Sequence, residues 1–135
     1  MAVFLNNGVQ VTVNTVNLSD HVQSVTLNRT FDELEVTAMG DSGHKFVKGL
    51  EASSVTIDFL NDTASASVLQ TLQAAWGTSV TVTLKQTSAA TSATNPLYTM
   101  TCLVNNTTDI NGATGDLGTQ SVTWTVNGTV AVTTS

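Results

Sequence analysis

Apolar and polar residues alternate along most of the chain. Six segments place an apolar side chain at every second position, and the residues between them are Thr, Ser, Asn or Gln except for Asp58 and Leu103. This period is typical of strands in antiparallel sheets that pack one face on a core. The alternating apolar positions are Val9, Val11 and Val13; Val25 and Leu27; Val55, Ile57 and Phe59; Val80, Val82 and Leu84; Tyr98, Met100, Cys102 and Val104; and Val122, Trp124 and Val126.

One segment, residues 61–77, has the period of a helix instead. Asp62 or Thr63 can cap its start, and Gly77 suits the left-handed residue past its end. The sequence therefore predicts one helix of about three turns that packs its Leu and Trp side chains on the outside of the sheets. The residues on its apolar face are Val68, Leu69, Leu72 and Trp76.

The remaining segments predict how the strands are connected. Residues 31–51 read as a long charged loop, within which LEVTAM is a candidate short strand. Residues 87–96 and 107–118 are rich in small or turn-forming residues and predict loops. Residues 129–135 form either a last strand or an arm. We expect a single domain over residues 1–135, an all-β antiparallel sandwich or barrel with one short flanking helix.

Composition narrows the function. Only 10% of the residues are charged and the net charge is −6. Because nucleic-acid affinity comes mainly from basic residues, we expect no grip on DNA or RNA. Cys102, the lone cysteine, is expected to be a small buried residue. The sequence shows no signal-peptide pattern and no apolar run of about 20 residues, so we expect neither secretion nor a membrane span.

The motifs of catalysis and metal binding are missing. His44 lies near Asp41 and Ser42, but a Ser-His-Asp triad requires groups presented from separate elements around an oxyanion hole. Asp109 and Asp116 lie in a Gly-rich stretch without the closing Glu of a calcium loop. We therefore expect no enzyme, no cofactor and no metal.

Charge is concentrated in one segment. Seven of the fourteen charged residues lie in residues 31–51. An active site is one interpretation and a contact loop for a partner is the other; the missing motifs favour the contact loop. Its candidate contact residues are Phe31, Asp32, Glu33, Glu35, Asp41, His44, Lys45, Phe46, Lys48, Leu50 and Glu51.

The strands carry few of the features that protect sheet edges. Exposed edges are usually guarded by Lys, Pro or inward-pointing charges, and this chain has four Lys and Arg together and one Pro. We infer a homo-oligomer built partly by strand pairing. The alternative is a monomer whose own loops and helix cover the edges.

The order of these elements resembles the major tail tube proteins of long-tailed, siphovirus-type bacteriophages. The resemblance covers about residues 9–130 and is carried mainly by VTAMGD…KFVKGLEASSVTIDF, followed by a helix, two strands and GDLGTQSVTWTVNG. It implies a virion protein, assembled in the host bacterial cytoplasm, that forms hexameric rings. These stack into a tube, together with other tail proteins, through which DNA passes without specific binding.

The resemblance also implies that residues 31–51 contact a neighbouring subunit or ring, and that the uncharged Ser/Thr strand faces line the lumen. Two alternatives remain. One is another virion protein on a similar sandwich, for head decoration or tail completion. The other is a carbohydrate-binding or adhesive domain, which needs exposed aromatic residues; Trp76 and Trp124 are both predicted to be buried, which argues against it.

Overall fold

The computed structural model describes residues 8–135. The expectation that the chain lacks a signal peptide falls mainly on residues 1–7, which lie outside this range. The described residues form strands β1 (Gln10–Val13), β2 (Val16–Asn17), β3 (Val22–Asn28), β4 (Phe31–Glu35), β5 (Phe46–Glu51), β6 (Ser54–Leu60), β7 (Ser79–Lys85), β8 (Leu97–Leu103), β9 (Thr119–Val126) and β10 (Ala131–Thr133), with helix α1 (Val68–Ala75) and a 3-10 turn at Ser19–His21. Within this range, no helix is long and apolar enough to cross a membrane.

All the strands pair in antiparallel fashion. The main sheet has the order β2-β1-β7-β8-β9-β6-β3, with β10 also beside β8. β6 and β9 pair from Ser54 to Leu60, whereas β8 meets β9 only at Cys102 and Leu103. This short junction allows the sheet to fold into two layers around one core. The predicted all-β antiparallel fold with one short helix is confirmed.

Most of the core consists of the alternate residues that the sequence pattern selected, but four of those residues are only half-buried against it: Val9, Val25, Leu27 and Tyr98. Ile57 and Phe59 of β6 are fully buried, as are Val82 of β7 and Trp124 of β9. The indole N–H of Trp124 donates to the Asn106 carbonyl at 3.2 Å, so its one polar atom is satisfied. Cys102 is also buried, as predicted, and burial raises the pKa of its thiol to about 12.

Two buried amides secure the predicted loops. In the loop after β7, the Asn95 side chain donates to the Ala89 carbonyl at 3.0 Å. Gln120 of β9 accepts from the Thr108 N–H of the preceding loop at 3.0 Å and donates to Asn61 at 2.8 Å. Buried amides are usually hydrogen-bonded. The Asn95 bonds close the first loop on itself, and the Gln120 bonds hold the second loop to the sandwich.

Helix α1 is shorter than predicted. It covers only eight residues, and its N-cap is Ser67. Asp62 instead accepts hydrogen bonds from the Ala64 N–H and the Ser67 hydroxyl, so it orders the turn before the helix. Gly77 does adopt a positive φ of 77° just past the helix, as predicted.

The apolar face of the helix was only partly predicted. Because the helix ends at Ala75, Trp76 leaves the helical path and is 52% exposed. The prediction that Trp76 is buried is therefore wrong, and Leu69 is only half-buried. The face that enters the core repeats at positions i, i+3, i+4 and i+7: Val68, Thr71, Leu72 and Ala75.

The C-terminal segment is a strand rather than an arm. Ala131, Val132 and Thr133 pair with Thr99, Tyr98 and Leu97 of β8. The pairing adds β10 to the same layer as β7 and β8.

Replacing Phe59, which is fully buried, by Ala should destabilise the protein by about 3–5 kcal/mol, because the change removes apolar contacts and leaves a cavity. The same change at Phe31, which is 49% exposed, is the matched control and should cost about 0.5 kcal/mol or less. Urea unfolding measures both. Equal losses at the two positions would contradict this placement of the core.

Candidate interaction hairpin

Residues 31–51 form a β-hairpin, so the prediction of a long loop is wrong. β4 and β5 make their own two-stranded sheet, with Glu33 opposite Lys48, Leu34 opposite Val47 and Glu35 opposite Phe46. Leu34 and Val36 alternate with Glu35, and the aromatic and β-branched residues Phe46 and Val47 favour an extended chain in the second strand. The predicted short strand LEVTAM overlaps β4 only at Leu34 and Glu35. We call residues 31–51 the interaction hairpin.

The interaction hairpin continues the ladder between β3 and β6. That ladder ends with Asn28 opposite Ser54. The Ala52 N–H then donates to the Thr30 carbonyl at 2.7 Å, and the Thr30 hydroxyl donates to the Ala52 carbonyl at 2.6 Å. The hairpin ladder follows directly. At about 3.3 Å per residue, its five-residue first strand extends roughly 16 Å from this junction.

Glu51 anchors the base of the hairpin. Its carboxylate accepts from the Ser53 hydroxyl at 2.7 Å and from the Val130 N–H at 2.9 Å. The bond from Ser53 first, and then that from Val130, lowers the pKa of Glu51. The carboxylate thus ties the hairpin to the segment that leads into β10, which is a structural use within its own chain.

A bulge near the base of the hairpin requires Gly49. The pairing shifts register between Phe31 and Glu33, so that the second strand carries one extra residue. A Cβ atom on Gly49 would lie 2.8 Å from the Asp32 carbonyl oxygen and 3.0 Å from the Asp32 Cβ. Only a residue without a side chain allows the two strands to approach this closely.

Asp41 orders the tip of the hairpin. Its carboxylate accepts from the Ala38 N–H at 2.8 Å and pairs with the Lys45 ammonium at 2.9 Å. The backbone hydrogen bond first, and then the bond to Lys45, lowers the pKa of Asp41. The neighbouring Gly40 has a φ of 92°, which closes the turn.

His44 has a different partner from the one a catalytic triad requires. Its Nδ1 bonds to the Glu35 carboxylate and not to Asp41. The same carboxylate accepts from the Thr37 hydroxyl at 2.9 Å, and the Thr37 oxygen accepts from the Lys45 N–H at 2.9 Å. This network joins the two strands where the tip begins, and it provides no nucleophile with an adjacent base.

The two faces of the hairpin differ. One carries aromatic and charged side chains, with the Lys48 ammonium 5.5 Å from the Phe31 ring centroid and the His44 ring 6.4 Å from that of Phe46. The other face carries aliphatic residues that were not among the predicted contact residues, although Leu34 and Val36 alternate in the sequence: Leu34, Val36 and Val47.

Most apolar side chains of the hairpin face solvent. Phe46 is 54% exposed, Leu34 is 52% exposed and Leu50 is 81% exposed. A two-stranded hairpin is at best marginally stable in water by itself, and clustered exposed apolar groups mark interaction sites. The arrangement is therefore suited to binding a protein surface on one or both faces. The remaining predicted contact residues, Asp32 and Glu33, are exposed on β4.

A second surface covers the outside of the layer formed by β3, β6 and β9. Rows of short polar side chains run across the three strands, such as Thr26, Thr56 and Thr123. Asp58 is the single charge among them; hydrogen bonds from Ser121 and then Ser24 lower its pKa. We call this the hydroxyl face: Ser24, Thr26, Asn28, Ser54, Thr56, Asp58, Ser121, Thr123 and Thr125.

The described residues contain no cluster that could bind a metal ion: nowhere in residues 8–135 do three His, Cys, Asp or Glu side chains converge. In the predicted turn region, Asp116 accepts from the Ala113 N–H at 3.1 Å. His21 pairs with Asp62 at 2.9 Å, beside the turn that precedes α1.

No family model and no curated protein matches the sequence. Solved structures with a similar fold include the following two. A chain in the virion of a native gene transfer agent particle aligns with a TM-score of 0.75 at 8% identity, over 97% of this chain and 99% of that one. A chain in the baseplate of the anti-feeding prophage, a 6-fold symmetrised structure, aligns with a TM-score of 0.58 at 10% identity, over 99% and 98%. At these identities the likeness shows the fold.

Gly49→Ala should disrupt the interaction hairpin while leaving the sandwich folded, because the new Cβ would clash with the Asp32 backbone. Amide hydrogen exchange in β4 and β5 should accelerate about tenfold for each 1.4 kcal/mol of local stability lost. Gly43→Ala is the control, since a Cβ there meets nothing within 4 Å. Unchanged exchange in the Gly49 variant would argue against the close approach at the bulge.

The tip of the hairpin should loosen in acid. Because the pKa of Asp41 is lower in the folded chain than its ordinary value of 3.8, its ionised form stabilises the tip above that value. This contribution should disappear as the pH falls through the folded pKa. An NMR titration should place the Asp41 midpoint below 3.8 and show the Ala38 amide losing protection with it. In Asp41→Asn, the protection of the Ala38 amide should no longer change over this pH range.

Proposed function

We propose that the protein is a structural subunit of a phage-type tail. In this proposal, copies of the chain assemble into hexameric rings that stack into a tube, and DNA travels through the lumen without specific binding. The observation that carries it is the interaction hairpin. It is ordered by bonds within its own chain, yet about half of the surface of each of its principal apolar side chains faces solvent.

The chemistry of the hairpin favours a protein partner of defined geometry. Apolar side chains such as Phe46 and Leu34 provide area to bury, and their exposure is costly unless a partner covers them. The charged groups beside them, including Lys48 and Glu33, set register and partner choice more than affinity. A neighbouring copy of the same chain supplies such a partner repeatedly.

The hydroxyl face is suited to line a conduit for DNA. It presents short polar side chains and one carboxylate, Asp58, and no cation. The whole chain has a net charge of −6. Phosphates therefore find no ammonium or guanidinium groups to bind on this face, and mutual repulsion keeps a moving polymer from adhering.

The structural likenesses support a place in a phage-derived particle. The two similar chains belong to a gene transfer agent virion and to a prophage baseplate, the latter 6-fold symmetrised. We extend this to the present chain as part of the proposal: a location in the virion tail, other tail proteins as partners, and assembly in the host cytoplasm.

The baseplate likeness also favours a second candidate, a tail-completion or baseplate protein that forms single rings. One observation favours a carbohydrate-binding role. The sequence predicts that both Trp residues are buried, but Trp76 is half exposed and only Trp124 is buried. Long tubes distinguish the first proposal from both alternatives.

Purified protein should form rings of uniform diameter that stack into hollow tubes as its concentration rises, and Phe46→Asp should remain folded but monomeric. The substitution places a carboxylate among the apolar groups that a partner would bury. Negative-stain electron microscopy and light scattering across a concentration series measure both.

The matched control is Ile110→Asp, which puts the same charge at a 96% exposed apolar position outside the hairpin. This variant should form tubes like the wild type. A strictly monomeric wild type, or normal tubes from the Phe46 variant, would contradict the proposal.

A further inference from the structure

A groove runs between the two layers of the sandwich at the free edge of β3. Its volume is about 550 Å³. One wall is β3, with Val22, Val25 and Leu27 half-buried against the core, and the opposite wall includes Leu84 and Tyr98. Within residues 8–135, β6 is the only strand that pairs with β3. The outer edge of β3 therefore presents free backbone donors and acceptors beside the apolar floor of the groove.

The charges around the groove are unusual for this chain. Arg29 and Lys85 both line it, and they are the only Lys or Arg residues outside the interaction hairpin. Lys85 donates to the Ala89 carbonyl at 2.9 Å, which leaves two of its N–H groups for other acceptors. None of the described residues that line the groove is Asp or Glu. The groove thus suits an occupant that is apolar and anionic.

The interaction hairpin has this complementary chemistry. Residues 31–51 carry five carboxylates and two Lys ammonium groups, so their net charge is negative. The same segment exposes Phe31, Leu34, Phe46 and Val47 to about half of their surface. An apolar strand pair with acidic neighbours matches an apolar groove with two cations.

The hairpin of the same chain is held away from this groove. No residue of 31–51 lines it. The hairpin is fixed to the end of the β3–β6 ladder by the paired bonds between Thr30 and Ala52. To fold back along β3, it would have to break these bonds and the anchor of Glu51 to the Val130 N–H. A second copy has no such constraint.

We propose that the groove between β3 and the Leu84–Tyr98 wall receives the interaction hairpin of a second copy of this chain. The contact is heterologous, because the hairpin and the groove are different surfaces, and each copy offers one of each. Repetition of such a contact gives a closed ring or an open filament. The inference deepens the tube proposal and rests on it in part, since it assigns the partner surface for the hairpin.

The test combines two variants that each damage one half of the contact. Phe46→Asp damages the hairpin and keeps the groove. Arg29→Glu with Lys85→Glu reverses both groove cations and changes no residue of the hairpin. Because Arg29 also lies beside Glu51 at the hairpin base, amide hydrogen exchange in β4 and β5 checks that the hairpin is intact in this variant. Each should be monomeric alone by light scattering. Mixed in equal amounts, they should form a one-to-one heterodimer that grows no further, because the mixture contains one intact hairpin facing one intact groove.

Three results would overturn the inference. Wild-type assembly of the groove variant alone would place the hairpin contact elsewhere. Dimers of the groove variant alone would show that two intact hairpins contact each other. Monomers in both variants and in their mixture would show that the groove takes a different occupant. In all three cases a tube-forming wild type would leave the proposed function standing.

The opposite case, in which the tube proposal fails but the hairpin-in-groove contact holds, is also measurable. Head-to-tail chains of wild-type protein without rings or tubes, together with the heterodimer, would contradict the tube while supporting the hairpin-in-groove contact. Absence of the wild-type assemblies and of the heterodimer would contradict both the tube and the hairpin-in-groove contact.

A milder pair of variants controls for net charge. Arg29→Gln with Lys85→Gln should raise the concentration needed for assembly about tenfold, the effect of losing two modest ion pairs. Gln73→Glu with Ala74→Glu brings the chain to the same net charge by changes on the exposed side of α1. That control should assemble close to wild type. An equal effect of both pairs would show that overall repulsion, rather than the groove, is responsible.

Discussion

The antiparallel pairing of β3 with β6 is the constraint on which the functional surfaces depend. Inside the sandwich it places Ile57 and Phe59 in the core, and on the other side of the same strands it presents the hydroxyl face. Past Asn28 and Ser54 the ladder continues through Thr30 and Ala52 into the interaction hairpin. Because ladder hydrogen bonds are directional, one strand pairing sets the positions of the face, the hairpin and the groove edge together.

The few charges of this chain are used mostly to hold its own hairpin in shape. Asp41 secures the tip, Glu35 bonds to His44, and Glu51 ties the base to the Val130 N–H. Exposed ion pairs contribute little to global stability, but here they fix a two-stranded element that has little core of its own. The exposed hairpin side chains without such bonds are therefore mainly apolar. The sequence pointed to this segment by its charge, whereas its exposed apolar side chains make it a candidate interaction site.

The hydroxyl face is nearly uncharged, whereas the interaction hairpin exposes apolar side chains. A sheet surface of Ser and Thr gives a partner no strong electrostatic signal, so in the proposed assembly recognition depends on the hairpin and on the groove cations Arg29 and Lys85. Such a chain leaves open edges that isolated β-proteins normally guard. The proposed assembly with further copies would cover them.

The sequence by itself determined the strands of the sandwich. Period-two alternation in segments such as Val55–Phe59 and Val122–Val126 can be satisfied only by an extended chain with one face buried, so the core followed from local pattern. The burial of Cys102 followed for the same reason, and the loops after β7 and before β9 followed from their small and turn-forming residues.

The tertiary structure decided the rest. Residues 31–51 alternate only at Leu34 and Val36 and bury no face in their own chain, so only the strand pairing shows that they form a projecting hairpin. Trp76 fits a helical face in sequence, yet the helix ends one residue earlier and leaves it in solvent. The groove brings β3 together with Leu84 and Tyr98, residues more than fifty positions apart, and no local pattern encodes contacts between layers.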